Sequence, residues 1–210
     1  MLNNIWEFLV PRFKDAAPRV VFEIGAHIGT DTVTLAALPG ATVHAFEPDP
    51  RNNLPTLPNV VFNRAAIGAR DGEAEFTPSA KRGEWDWTCS GSLRRPKEHL
   101  RSWPTVTFGD PIRVQVVTLD TYCREHGIDV IDFVWADVQG AEADMIRGGL
   151  ETLKRTRYLY TEFSWKELYE GQVNLDGILA LLPGWRVVQV FPSPEDYGDV
   201  LLENTEMVGQ

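Results

Sequence analysis

Cysteine is scarce in this 210-residue chain: only Cys89 and Cys123 occur, with no metal-ligand spacing of His, Cys or Asp around them. That excludes a disulfide scaffold and a structural zinc site, and suits two free thiols in a reducing, cytoplasmic compartment. Long apolar runs are missing too. No stretch approaches the roughly 18 to 20 apolar residues of a membrane helix, and "MLNNIWEFLVPRF" carries neither a basic leader nor a small-residue cleavage site. Positive charge is also short, since 20 Lys and Arg against 30 Asp and Glu give a net charge of −10. A general nucleic-acid binder, which must neutralise phosphates, is therefore not expected. What remains is a chain that is 43% hydrophobic with seven tryptophans, long enough for one large domain with a full core.

Strand and helix signals alternate along it. "RVVFEIG" (19–25) has the apolar, β-rich character of a buried parallel strand. Thr30 or Asp31 can cap a helix that Pro39-Gly40 stops. "ATVHAFEP" (41–48) and "NVVFNRAAIG" (59–68) predict a second and a third strand, and Asp71-Gly72 a turn into a short returning strand from Glu73 to Thr77. Residues 78–111 show no periodicity, and a stretch this long predicts a lid or an acceptor-binding insertion. Beyond it lie "IRVQVVTLD", a helix ended by Gly127, "IDFVWADVQG" (131–140), one helix over "AEADMIRGGLETLKR", "RYLYTEF" (157–163), a helix over "NLDGILALLP", and two closing strands. Ile5, Trp6, Leu9 and Val10 suggest a short amphipathic N-terminal helix. The pattern predicts an α/β fold, one doubly wound, mostly parallel sheet over residues 1–210 that closes with an antiparallel strand.

"EIGAHIG" ends the first strand, where such folds bind ligands. Its glycines lack the G-x-G-x-x-G spacing that approaches a dinucleotide pyrophosphate, and no phosphate loop occurs. Glu47 ends the second strand, where a carboxylate can accept hydrogen bonds from ribose hydroxyls. A nucleoside without a diphosphate fits both features. S-adenosyl-L-methionine is one, with an amino-acid tail for the turn and a ribose for Glu47. The alternatives are an NAD-dependent oxidoreductase, for which no Tyr-x-x-x-Lys pair is present, and a non-catalytic nucleoside-binding module.

The ordered segments "FEIGAHIGTDT", "VHAFEPDP", "VVFNRAAIG", "SGSL", "VVTLDTY" and "IDFVWADVQGAEADMIRGG" resemble the FkbM family of S-adenosylmethionine-dependent methyltransferases, with a Rossmann-like fold. The resemblance covers roughly residues 20 to 163 and implies methyl transfer, commonly to a hydroxyl of a sugar or natural product. It implies cofactor contacts from Glu23, Gly25, Ala26, His27, Gly29, Glu47, Pro48, Ala65, Ala66 and Asp137. Departures are Glu23 for the family's usual Asp, His27 for Asn, Trp135 for Lys and Gln139 for Glu.

An alcohol acceptor must lose a proton, so a base in contact helps. Asp137, at the end of a core strand, is the first candidate for base or orienting group, and Glu162 is the second. Glu142 reads as a helix-dipole partner. His27 is a turn residue; His44 and His99 carry less signal. Lys81, Arg82, Arg94, Arg95, Lys97 and Arg101, interspersed with Trp85, Trp87 and Trp103, make 78–111 locally basic. This predicts a lid over a small-molecule or glycan acceptor carrying a phosphate or carboxylate, with Ser90, Ser92, Arg94, Arg95 and Gln139 as acceptor contacts. No metal is expected, and oligomeric state is left open.

Overall fold

The computed structural model describes residues 5–9, 19–83, 86–193 and 195–208. Trp6, Leu9 and Val10 of the expected N-terminal apolar stripe, and Trp85 of the expected lid, lie outside the described side chains. A short helix α1 (Ile5–Leu9) precedes β1 (Val20–Ile24), α2 (Thr30–Ala36), β2 (Thr42–Phe46) and β3 (Val60–Asn63). Next come β4 (Ala66–Ile67), β5 (Gly72–Phe76), β6 (Ser79–Lys81), α3 (His99–Ser102), β7 (Val106–Phe108), β8 (Ile112–Val117) and α4 (Leu119–His126). The chain continues through β9 (Ile131–Ala136), α5 (Glu142–Arg147), α6 (Leu150–Leu153), β10 (Thr156–Ser164), α7 (Leu175–Leu181), β11 (Trp185–Pro192), β12 (Tyr197–Asn204) and α8 (Thr205–Val208).

The main sheet has the order β11-β12-β10-β9-β1-β2-β3. Five neighbouring strands run parallel, and β12 returns antiparallel between β10 and β11. Strand order reverses at β1, so a crevice opens between the carboxyl ends of β1 and β9, where open α/β sheets take ligands. Alternation along β1 divides the core. Phe22 and Ile24 pack with Leu119, Met145, Leu153 and Ile178 of α4 to α7; Val21 packs on the opposite face with Leu35 of α2 and Ile5 of α1. Each fully buried side chain of this size contributes about 1.5–3 kcal/mol. The Thr118 side chain caps α4 by accepting from Thr121 N, and Gly127 ends that helix at φ 63°. No helix among the described residues is long and apolar enough to cross a membrane.

Three expectations are corrected. The third strand does not run through 59–68. It stops at Asn63, whose carbonyl turns to accept from Ala65 N and Glu47 N, and β4 leaves the main sheet to pair with β8. The returning strand β5 likewise pairs with β8, not with β3. The helix after Asp137 breaks in two at Gly148-Gly149, because Gly148 lies against the backbone of Gly68; a Cβ there would stand 2.0 Å from the Gly68 carbonyl oxygen. Asp120 then caps the second piece, accepting from Thr152 N at 2.7 Å. Residues 78–111 hold real structure, including the β6–β7 pair, α3, and bridges from Thr77 to Ser92 and Pro96 to Tyr169.

Candidate active site

The turn after β1 is fixed by main-chain contacts that glycine permits. Gly25 sits at φ 90°, and a Cβ there would fall 1.8 Å from the Asp137 carbonyl oxygen. This close approach lets Gly25 N and Ala26 N both donate to Phe46 O at 2.9 Å, joining the ends of β1 and β2. His27 follows at φ 51°, uncommon for a residue with a side chain. Its backbone N–H donates to Glu47 Oε2 at 2.9 Å, and its ring Nε2 lies 2.7 Å from Thr88 Oγ1. Glu47 Oε1 accepts from Asp49 N and Asn52 Nδ2, at 2.8 and 3.2 Å. A carboxylate has about four acceptor positions. Three are used here, so Oε2 keeps one for a ligand.

Across the crevice, Asp137 N donates to Ile24 O at 2.9 Å. The Asp137 carboxylate accepts from Gln139 Nε2 at 2.6 Å. Gln139, strained at φ 52°, is held from three sides. Its carbonyl accepts from Ser92 Oγ at 2.7 Å, its Oε1 from Tyr169 OH at 3.0 Å, and the same Tyr169 hydroxyl reaches Ser90 O at 2.8 Å.

Two cavities flank this clamp. The first, about 910 Å³, is lined by the β1 turn, Asp31, Glu47, Pro48, Ala65, Ala66 and an apolar slot of Ile67, Phe76, Leu93 and Val138. The second, about 850 Å³, is walled by Trp87, Trp103, Tyr197, His99, Leu168, Glu162 and Glu195. Cys89, Asp137 and Gln139 line both.

Acids in this region are held toward their neutral forms. Burial pushes Glu23 up to about 8 against the opposing hydrogen bond from Thr32, with Asp31 adding to the rise. Glu47 is raised by burial, opposed by its own hydrogen bonds; Asp137, whose side chain stays open to solvent at the seam, is raised by desolvation from the surrounding walls against its hydrogen bonds with Gln139. Glu162 is raised well above the carboxylate range by burial and then by the charges of Asp137, Glu142 and Asp199. Glu142, almost fully buried, is pushed by burial to about 7, and its Oε2 has no hydrogen-bond partner. Burial also lifts the Cys89 thiol to about 11, so this cysteine is a poor nucleophile.

The structure brings Gly25, Ala26, His27, Glu47, Pro48, Ala65, Ala66, Ser92, Asp137 and Gln139 to the first cavity, and Ser90 and Glu162 to the second. Glu23 lies beneath the turn, bonded to Thr32 of α2, and Gly29 opens that helix; neither lines a cavity. Ser90 and Ser92 act within the fold, Ser90 Oγ accepting from Trp87 Nε1 and Ser92 Oγ from Arg94 N.

Arg94 and Arg95 point elsewhere. Arg94 pairs with Asp144 at 2.6 Å and reaches the Glu170 carbonyl, and Arg95 lies 3.8 Å from Glu75 on the surface. Neither arginine lines either cavity, and among the described residues no Lys or Arg lines the second. The expected anion contact is therefore absent from these walls. Trp87 and Trp103 of the expected lid do line the second cavity; sequence reading missed Thr88, Cys89, Tyr197 and the role of Tyr169, none of which carries a periodic or motif signal.

A cleft at the switch point of a doubly wound sheet, sharing a wall with a second cavity, is the arrangement of an α/β ligand-binding fold. Residues 23–201 match the model of the Methyltransferase FkbM domain, and the chain belongs to that family of S-adenosylmethionine-dependent methyltransferases. It is 44% identical over 196 residues to the 2-O-methyltransferase NoeI of Sinorhizobium fredii (strain NBRC 101917 / NGR234), covering 90% of this chain and 80% of that protein. Among solved structures, EvdMO1 matches with a TM-score of 0.50 at 13% identity, over 99% of this chain; the match spans 41% of that longer chain. Magnesium protoporphyrin IX methyltransferase from Synechocystis PCC 6803 matches at 14% identity with a TM-score of 0.49, over 95% of this chain and 75% of that one.

Proposed function

We propose that the enzyme methylates a hydroxyl of an uncharged sugar or glycan, with S-adenosylmethionine in the first cavity and the acceptor in the second. The observation that carries this is the shared wall: both cavities meet at Asp137, Gln139 and Cys89. The residues of the first cavity suit the cofactor. Glu47 Oε2 has one acceptor position left for a ribose hydroxyl, the apolar slot suits a purine, and Asp31 suits a cationic tail. Bound there, the cofactor supplies a methyl group on a cationic sulfur, a good leaving group. Asp137 stands where an acceptor hydroxyl would arrive and takes or orients its proton; its raised pKa makes it a stronger base once ionised. Glu162, raised by burial and by the neighbouring acids, lines the acceptor chamber where it can hydrogen-bond a hydroxyl.

The acceptor class follows from the second lining. Trp87, Trp103 and Tyr197 present aromatic surface for the C–H face of a sugar ring, and Asp137 and Glu195 disfavour an anion. The name of the 44% identical relative points further, to a 2-hydroxyl. The described residues of 78–111 serve as a packed wall of this chamber, within one domain, and the two free thiols suit the cytoplasm.

The test is methyl transfer from labelled S-adenosylmethionine to methyl glycosides of neutral hexoses and 6-deoxyhexoses, with uronic acid counterparts alongside. Neutral glycosides are expected to be methylated, at O-2 by NMR of the product. Transfer to the uronates alone, or to no glycoside, overturns the reading.

A further inference from the structure

His99 opens α3 and is 3% exposed. Three rings box its imidazole, with centroids at 4.8 Å for Trp103, 5.2 Å for Phe108 and 5.4 Å for Tyr169. Its Nδ1 is sealed from solvent with no hydrogen-bond partner, although the residue lines the aromatic chamber. The backbone does not depend on that ring: Lys97 N and His99 N both donate to Leu168 O, at 2.8 and 3.2 Å, and so pin the start of α3.

Buried polar atoms are nearly always paired, and leaving one unpaired is costly. A phenylalanine would fill the same aromatic box without that cost. An imidazole kept there against local packing marks a place where function overrides stability. Burial lowers the imidazolium to about 4, so at neutral pH the ring is uncharged, with one N–H and one lone pair for a hydroxyl. Among the described residues no Lys or Arg lines the chamber, and the neighbouring Trp87 and Trp103 limit how a ring can lie.

We infer that His99 is an acceptor-binding residue that hydrogen-bonds a sugar hydroxyl in the chamber and thereby sets acceptor choice. The inference rests on the reading of the chamber as the acceptor site. It is tested with His99→Phe and His99→Gln, assayed on the neutral methyl glycoside that the wild type turns over best. His99→Phe is expected to raise the acceptor KM roughly tenfold or more, with an unchanged Kd for S-adenosylhomocysteine and a Tm equal to or above that of the wild type. His99→Gln, which keeps a donor and an acceptor, is expected to recover part of the KM.

An unchanged acceptor KM in His99→Phe overturns the inference. So does a parallel loss of S-adenosylhomocysteine affinity and Tm in both variants, which is the behaviour of a scaffold residue. Both outcomes leave wild-type glycoside methylation intact. A wild type that methylates no glycoside instead overturns the function proposed above, and this inference with it.

Discussion

The two cavities that meet at Asp137 are built by different means. The first is made of strand ends: its turn is set by Gly25 against the Asp137 backbone and by Glu47 holding three N–H groups. The second is made of side chains that converge from 87–106, 162–168 and 195–197. A binding site fixed by backbone contacts is rigid and intolerant of change. One walled by side chains can be reshaped without unfolding, which is how a family keeps one cofactor and varies its acceptor.

The sharpest way to break this contrast is Gly25→Ala. The new Cβ would meet a backbone carbonyl at 1.8 Å, at a φ of 90°, and neither can yield without moving β9. A destabilisation of about 4 kcal/mol or more is expected, with S-adenosylhomocysteine binding lost in calorimetry. A soluble variant of wild-type affinity would show that the turn is less rigid than its contacts imply. Next in size is Asp137→Asn, at the seam. Asparagine still offers an oxygen to Gln139 Nε2 but is no base, so kcat is expected to fall by about 10²–10⁴-fold with S-adenosylhomocysteine affinity nearly unchanged. Wild-type kcat would remove Asp137 from the chemistry.

The same contrast decides what was legible in the sequence. "EIGAHIG", "HAFEP" and "WADVQG" reveal the first cavity because residues at strand ends are placed by the strand itself. The chamber was illegible because no local pattern links Trp103 to Glu162 or Tyr197. Arg94 and Arg95 drew attention as a basic pair, yet the partner of Arg94 is Asp144, fifty residues away in sequence. The helix break at Gly148 was hidden for the same reason, since its cause is contact with Gly68. Family resemblance supplied the reaction; only the packing supplied the walls of the acceptor site.

A smaller effect concerns pH. Glu23 and Glu142, raised to about 8 and 7, bind protons in the folded state that the unfolded chain releases near 4.5. Each therefore lowers stability as pH rises from about 4.5 to its folded value. His44 and His99, lowered to about 4, act in the opposite sense between 4 and 6.5, where only the unfolded chain is protonated. The two pairs roughly cancel from pH 4.5 to 6.5. Above that the acids act alone, Glu142 up to about pH 7 and Glu23 up to about 8, so the unfolding free energy from urea titrations should fall from pH 6.5 to 8, by up to about 1.4 kcal/mol per pH unit for each acid still below its folded value. Glu23→Gln, which still accepts from Thr32, should flatten this limb. A midpoint rising with pH would contradict the assignment.

The smallest expected effects test whether the basic stretch belongs to the chamber at all. Arg95, exposed and 3.8 Å from an equally exposed Glu75, should tolerate Arg95→Ala with a stability change within about 0.5 kcal/mol. Arg94→Gln should cost more, about 1 kcal/mol, because its partly buried pair with Asp144 joins the 78–111 segment to α5. Neither variant should change the acceptor KM, since neither side chain lines a cavity. A raised KM in Arg95→Ala would mean that the acceptor extends past the aromatic walls to the surface. Acceptor choice would then rest on charge outside the chamber, and the division between a backbone-built first cavity and a side-chain-built second one would need a third, electrostatic part.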